Sequence, residues 1–274
     1  MNVERLPPIK HFELLNEDGE ILYPGLPYER LVPMWNELCN RSTMQPDDLA
    51  AIFAVFLDCN ISEILRFRPE QRMHALLRAH GWLPVSILFS SLDHRANSWT
   101  PAFPTSKAES HSLTLDMGLM EFNTAGKFVM SATYVIRLYR LDQEITVGED
   151  LTCSDTEHGF CLHLDFSMQS KQKAKKVSGV LLMLGKEDFD HKNVKSRGVA
   201  FKIDSDSELG MQARFLASFD WTRHKTDEAS PVCEGSVPIA RLPNDYISST
   251  RRLTLDMCKH LSNFNLIYDV TDTC

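Results

Sequence analysis

The sequence predicts an α+β protein, with a short amino-terminal helical bundle followed by a mainly antiparallel, β-sandwich-like sheet region. Apolar residues recur at helical spacing up to about residue 84 of the 274 residues and alternate with polar ones after it. Lysine usage changes as well, since no lysine occurs between Lys10 and Lys107. We therefore predict a helical region at 1–84 and a β-rich region at 85–274, with one continuous domain as the alternative.

Four helices are predicted before residue 85. The second has the most regular apolar pattern and begins near Pro46, which suits a first helical turn. The third begins at the capping-box spacing of Asn60 and Glu63, and the fourth runs from Pro69 to Gly81. The apolar positions that define the helices are Leu31, Met34, Trp35 and Leu38 in the first, Leu49, Ile52, Phe53, Phe56 and Leu57 in the second, and Met73, Leu76 and Leu77 in the fourth.

After residue 84, apolar residues alternate with a period of two, which predicts strands. The clearest predicted strand is 128–138, with apolar residues on one face and Ser131, Thr133 and Arg137 on the other, so that one side of the sheet meets water. Many short strands separated by turns are typical of a sandwich or a strongly curled sheet. Further strands are predicted at 85–89, 113–117, 161–166, 199–203, 215–221 and 264–270, with turns at 124–126, 186–195 and 204–210.

Composition and charge exclude several classes of protein. The chain is 43% hydrophobic, which is enough to form a core, and its net charge of −8 argues against a dedicated nucleic-acid binder. The longest uncharged apolar runs, 49–57 and 177–185, are about half the length that a membrane span needs. No signal-peptide pattern is found in the first 25 residues. We predict a soluble, cytoplasmic protein that binds neither nucleic acid nor membrane.

The seven cysteines show no disulfide or metal framework. Their number is odd, their spacing is irregular and no Cys-x-x-Cys occurs, so reduced and mostly buried thiols are expected. The most metal-like group is Cys153, His158, Cys161 and His163, whose residue types suit zinc. Structural zinc sites place close ligand pairs at both ends of a longer loop, and this spacing does not. We interpret the group as a polar strand face and predict no metal.

Other sequence patterns that could carry chemistry are incomplete. The stretch 204–210 begins like a calcium loop, but Leu209 and Phe215 stand where such a loop needs Gly and Glu, so a solvated turn is expected. Four lysines within 171–176 indicate a charged loop. No nucleophile elbow, phosphate loop or dinucleotide turn is present. We therefore predict no catalytic residue and no cofactor; an enzymatic role around His158, Cys161 and His163 is the least favoured hypothesis.

A proline-bracketed aromatic segment is the candidate binding site. Arg95, Trp99 and Phe103 lie among prolines that hold the preceding residues extended, and Trp and Arg often anchor interfaces. The functional interpretation is a rigid surface for protein binding. The alternative is a crossing segment whose Trp99 fills the seam between bundle and sheet.

The helical region resembles a segment of large fungal heterokaryon-incompatibility proteins, downstream of their HET domain. The resemblance covers about 28–105, while the strands from 111 onward fit only in general character. The HET domain is the effector of the family, and its aromatic-rich Ser-Tyr-x-Trp-Gly signature is absent from this sequence. The resemblance therefore implies no effector activity. It implies that the chain is a truncated relative or a mis-split gene product. The matching motifs are Trp35-Asn-Glu-Leu38, Arg41-Ser-Thr43, Asp47-Asp48-Leu49, Asn60-Ile-Ser-Glu63-Ile-Leu65, Glu70-Gln-Arg72-Met73, Leu83-Pro84-Val-Ser-Ile-Leu88, Arg95 and Trp99-Thr-Pro101.

Two functions are expected from these observations. The first is a non-catalytic accessory or regulatory module that binds a protein partner, as the resemblance implies. The second is a small-molecule or glycan-binding β-sandwich with a helical cap, whose pocket would lie at the join near Trp82, Trp99 and Trp221.

Overall fold

The chain is α+β, with four amino-terminal helices followed by a large mixed, mostly antiparallel open sheet, which confirms the predicted class. None of the helices described has both the length and the hydrophobicity that crossing a bilayer requires. The computed structural model describes residues 27–38, 46–90, 101, 103, 112–122, 127–130, 137–166, 175–185, 196–225, 235–243, 246–247 and 250–256.

All four predicted helices are present, and their apolar positions face a common core. The first, second and fourth helices bury the residues that defined them, except that Ile52 and Phe56 are only half-buried. The ring of Trp35 packs edge-on against Phe53, with ring centroids 5.8 Å apart. The helices are α1 (Pro27–Leu38), α2 (Pro46–Phe56), α3 (Ile61–Arg66) and α4 (Pro69–His80).

The predicted helix ends are confirmed at α3 and α4. The side-chain oxygen of Asn60 accepts hydrogen bonds from the backbone N–H groups of Ser62, at 3.1 Å, and Glu63, at 3.4 Å. The first bond satisfies a donor that the first turn of a helix leaves unpaired, and the second adds to the bond from the Glu63 N–H to the carbonyl of Asn60. Gly81 ends α4 with a φ of 80°, a left-handed conformation in which a side chain would be strained.

Replacing Asn60 with alanine should lower the free energy of unfolding by about 1 kcal/mol, because the N–H of Ser62 loses its acceptor and that of Glu63 keeps only the backbone carbonyl of residue 60. Urea denaturation followed by circular dichroism measures the change. Asn60→Asp is the matched control, since it keeps a capping oxygen and should remain within about 0.5 kcal/mol of the wild type. Equal losses in the two variants would show that the cap does not contribute.

The predicted strands at 85–89 and 113–117 are wrong. Residues Val85–Phe89 form a 3-10 helix, all of it buried, and the chain turns at 115–117. Val85–Phe89 is a short apolar run buried on every side, and such a run has no reliable period, so its alternation did not indicate a strand. The two segments are joined through Ser86, whose hydroxyl donates to the carbonyl of Thr114 at 2.8 Å and accepts from its N–H at 2.9 Å.

The main path of the sheet contains nine strands in the order β1-β2-β3-β14-β11-β10-β9-β4-β13. The β11–β14 and β6–β12 pairs are parallel, the other pairs described are antiparallel, and β5 and β8 form a separate pair. The strands are β1 (Trp82–Pro84), β2 (Leu119–Phe122), β3 (Phe128–Met130), β4 (Arg137–Leu141), β5 (Ile145–Val147), β6 (Leu151–Asp155), β7 (Phe160–Asp165), β8 (Lys175–Val177), β9 (Val180–Leu184), β10 (Ser196–Ser207), β11 (Gly210–Lys225), β12 (Val237–Pro238), β13 (Ala240–Arg241) and β14 (Arg252–Asp256).

A branch of the sheet leaves the main path at β11. The second half of β11 pairs with β7, β7 pairs with β6, and β6 pairs with β12. Since β12 and β13 follow each other along the chain, segment 237–241 hydrogen-bonds to β6 through its first residues and to β4 through its last. The branch therefore returns to the end of the main path that β4 and β13 form.

Two hydrophobic cores lie on the two sides of the central strands. The first core contains residues of the helices and of the strands, whereas the described residues of the second core come from the strand region alone. Strand β9 is buried on both faces, with Leu181 in the first core and Leu182 in the second. In β11, Leu216 is an extra residue opposite β10, so Phe215 faces the first core and Ala217 the second.

The other strand predictions are confirmed in part. The predictions at 161–166, 199–203 and 215–221 fall in β7, β10 and β11. The two ends of 128–138 lie in β3 and β4, which hydrogen-bond to different neighbours, and both ends contribute to the first core. The predicted strand 264–270 and the turns 124–126 and 186–195 lie outside the described residues.

The predicted turn at 204–210 is wrong over most of its length. Strand β10 continues to Ser207, and only Glu208 and Leu209 form the turn that leads into β11. The end of this hairpin is exposed, so no apolar alternation marks it as a strand. The boundary at residue 84 stays a prediction.

Candidate functional site

The structure does not bring the four metal-like residues into one ligand set. Cys153 lies opposite Leu162 in the β6–β7 pair, so alternation places it on the other face from Cys161 and His163. Across the ranges that the structure describes, no group of three or more His, Cys, Asp or Glu side chains could hold a metal ion.

His158 is held by a buried carboxylate in the β6–β7 turn. Its Nδ1 donates to Asp155 Oδ2 at 2.9 Å, and Asp155 Oδ1 accepts the backbone N–H groups of Glu157, at 3.1 Å, and His158, at 3.0 Å. The nearby His163 has a different partner, the hydroxyl of Thr152, with Nδ1 and Oγ1 3.5 Å apart. The Asp155–His158 pair therefore fixes a turn, and His158 and His163 belong to separate hydrogen-bonded groups.

Two of the described cysteines, Cys59 and Cys153, are poor nucleophiles. Cys59, Cys153 and Cys161 are free thiols, two of them fully buried. Burial, with a smaller contribution from Asp58, raises the pKa of Cys59 to about 11. Burial, with a smaller contribution from Cys161, raises the pKa of Cys153 to about 12. Cys59 and Cys153 therefore stay protonated near neutral pH, and the reactive thiolate form is scarce.

The proline-bracketed segment is described only at Pro101 and Phe103. Both are buried, and the ring of Phe103 lies 5.7 Å from that of Phe53 in α2. Arg95 and Trp99 lie outside the described residues. The predicted interaction surface stays a prediction.

The described tryptophans of the predicted pocket do not lie together. Trp82 is 44% exposed on β1, beside the helices. Trp221 is buried in the second core, where its Nε1 donates to the carbonyl of Arg197 at 3.2 Å. Since the described part of that core contains no helix residue, Trp221 does not belong to the join between helices and sheet. Trp99 lies outside the described residues.

Two acidic residues of the stretch that resembled a calcium loop, Asp204 and Asp206, are paired with arginines. Asp204 accepts two hydrogen bonds from Arg214, from Nε at 2.9 Å and from the terminal nitrogen at 2.6 Å. This bidentate geometry is the strong form of a carboxylate–guanidinium pair. The pair raises the pKa of Arg214, first through the hydrogen bond and then through the charge of Asp204. The interpretation of 204–210 as a solvated turn missed these contacts.

Asp206 is the centre of a second group, which we name the Asp206 cluster and define as Arg140, Asp206, Tyr246 and Arg251. The carboxylate of Asp206 accepts from Arg140 at 2.8 Å, from Arg251 at 2.5 Å and from the hydroxyl of Tyr246 at 2.9 Å. Arg251 also donates to the Tyr246 hydroxyl, and its guanidinium lies 3.7 Å from the centre of the Tyr246 ring. The cluster thus joins β4, the end of β10 and the segment before β14.

Two donors of the Asp206 cluster, Tyr246 and Arg140, have raised pKa values, so both stay protonated at neutral pH. Burial first, and then the hydrogen bond to Asp206, raise the pKa of Tyr246, which keeps its hydroxyl a donor. The hydrogen bond from Arg140 Nε to Asp142, 2.7 Å long, raises the pKa of Arg140. Two guanidinium groups and one phenol therefore converge on a single carboxylate at the surface.

The other exposed candidate is an apolar and basic strip at the end of α3, named the α3 surface and defined as Leu65, Arg66, Phe67, Arg68 and Arg72. Leu65 is 43% exposed and Phe67 36% exposed. Arg72, one turn into α4, donates from Nε to the carbonyl of Phe67 at 3.2 Å. Sequence reasoning missed this surface because it treated the third helix only as part of the bundle; the alternation of apolar residues with arginines was its signal.

Comparisons with known proteins add no family and no fold to these observations. No protein-family model matches the chain, and neither a curated protein nor a solved structure was found to match it. A functional proposal for this chain therefore rests on the geometry of its own residues.

Proposed function

We propose that the chain is a non-catalytic interaction module that binds a protein partner through the α3 surface. The observation that supports this proposal is the exposure of Leu65 and Phe67 next to Arg66 and Arg68. The cytoplasmic location, the absence of nucleic-acid or membrane binding, and the resemblance to the region downstream of the HET domain are parts of the same proposal.

The α3 surface has the composition of an interface core. Aromatic residues and arginine are enriched where proteins bind each other, and they supply most of the binding free energy. Complete burial of a Leu or Phe side chain contributes about 1.5–3 kcal/mol, and Leu65 and Phe67 are already partly covered, so each retains a fraction of that. Together with the arginines, they provide affinity for a transient partner.

The charge of this segment indicates the chemistry of the partner. Residues 60–81 contain four arginines and two glutamates, a local positive excess in a chain whose net charge is −8. An acidic segment with exposed apolar side chains complements this surface in both charge and hydrophobicity. Because Arg66 and Arg68 are exposed, we expect binding to weaken as ionic strength rises.

The test compares proteins captured from an extract of the source organism by three variants. Leu65→Ser combined with Phe67→Ser removes the apolar part of the α3 surface. Arg66→Gln combined with Arg68→Gln removes two of its three positive charges. The amount of a genuine partner captured should fall by about tenfold or more with the first variant. At low salt it should also fall with the second. Leu209→Ser is the matched control because Leu209 is an 82% exposed leucine on the β10–β11 turn. It should retain the partner.

The proposal fails if both α3 variants, folded by circular dichroism, capture the same proteins at the same level as the wild type. It also fails if Leu209→Ser loses the same proteins, since general stickiness of exposed leucines would then explain capture.

The sandwich-like arrangement predicted from the sequence is also retained as a proposal. Its support is the composition of the second core, in which Leu162 and Leu164 of β7 pack with Tyr139 of β4 and Leu182 of β9. The alternative function, a glycan or small-molecule site at the join, has no comparable support because Trp221 is buried elsewhere.

A further inference from the structure

We propose that Arg140, Tyr246 and Arg251 form a binding site for a phosphate group, and that Asp206 occupies this site as an internal ligand. The site is separate from the α3 surface and does not depend on the function proposed for it. The ligand is a phosphate monoester or free inorganic phosphate, recognised through its oxyanion.

The donors have the arrangement that phosphate recognition requires. Two guanidinium groups reach one anion at 2.8 Å and 2.5 Å, and a phenol hydroxyl reaches it at 2.9 Å. Arginine is favoured for phosphate because its planar, fixed charge donates several hydrogen bonds at once. A phosphate monoester presents three acceptor oxygens and about two negative charges at neutral pH, against two oxygens and one charge for Asp206. Phosphate therefore satisfies these donors better than the carboxylate does.

The position of Asp206 allows it to be displaced. It lies at the exposed end of the β10–β11 hairpin, two residues before the turn at Glu208, and all three charged side chains of the cluster are partly exposed. An anion can approach the arginines from solvent without opening either hydrophobic core. Movement of the Asp206 side chain alone uncovers the donors.

Stacking of Arg251 on Tyr246 keeps the site formed when Asp206 leaves. The guanidinium lies over the ring and also donates to its hydroxyl, so the two groups hold each other. Arg140 is held independently by Asp142 through its Nε.

The test measures phosphate binding by isothermal titration calorimetry at constant ionic strength. Asp206→Ala should bind inorganic phosphate about tenfold or more tightly than the wild type, because the competing carboxylate is gone. Asp206→Asn keeps the size and an acceptor but not the charge. Its affinity for phosphate should lie between those of the wild type and Asp206→Ala. Adding Arg251→Gln to Asp206→Ala should abolish the gain. The control adds Arg214→Gln to Asp206→Ala, because Arg214 pairs with Asp204 on the same hairpin. This control should keep the gain in phosphate affinity.

Titration with O-phosphoserine distinguishes the two sources of phosphate. Tighter binding of the ester than of the free ion identifies a phosphate monoester, and the reverse identifies inorganic phosphate. If Asp206→Ala does not fold, Asp206→Asn decides alone. Overturning results are a folded Asp206 variant that binds no tighter than the wild type, or a gain that Arg251→Gln leaves intact.

Discussion

Replacing Trp35 with alanine should lower the free energy of unfolding by about 3–5 kcal/mol, the cost of removing a large buried aromatic side chain. Trp35 is completely buried in the first core, and its ring packs on Phe53, which in turn contacts Phe103. Since domains are stable by only about 5–15 kcal/mol, this one change removes a large share of the total. Chemical denaturation monitored by circular dichroism measures it.

Two further variants show which part of Trp35 matters. The Nε1 of Trp35 is buried and has no hydrogen-bond partner among the described residues, so Trp35→Phe removes an unsatisfied donor while keeping a ring. We expect it to cost less than Trp35→Ala. Trp82→Ala, at a 44% exposed tryptophan, should change stability by about 0.5 kcal/mol or less. A loss as large as that of Trp35→Ala would contradict the assignment of the first core.

The helices could be predicted because local signals agreed with their packing. In α3, Asn60 sets the start through hydrogen bonds to residues two and three positions away, which sequence spacing records directly. In α4, Pro69 and Gly81 mark the ends for reasons of backbone conformation alone. Where burial is complete on all sides, as in Val85–Phe89, the apolar pattern carries no direction and the prediction was wrong.

The candidate sites were harder to predict because they join distant parts of the chain. Arg140 and Asp206 are 66 residues apart in sequence, and Asp206 and Arg251 are 45 apart. Only the pairing of β4, β9 and β10 in the sheet brings the first two together. Viewed in sequence, Asp206 belonged to an acidic stretch, and no local spacing could indicate that arginines neutralise it.

The two cores raise the question of how many units unfold, and Trp221→Ala should answer it. Its removal from the second core should also cost about 3–5 kcal/mol, because a large buried side chain is lost. The carbonyl of Arg197 loses the bond from Trp221 Nε1 but keeps the one from the backbone N–H of Gly185. We expect Trp35→Ala and Trp221→Ala each to shift one shared unfolding transition. The physical reason is β9, whose alternate side chains lie in the first and the second core, so that losing either core exposes the same strand.

Hydrogen exchange measures this coupling directly. In Trp221→Ala, amides of α2, which lie beside the first core, should lose protection to the same extent as amides of β7 in the second. Leu209→Ala, at the exposed hairpin turn, is the control and should leave both unchanged. If α2 kept its protection while β7 lost it, the two cores would be separate cooperative units, and β9 would not couple them.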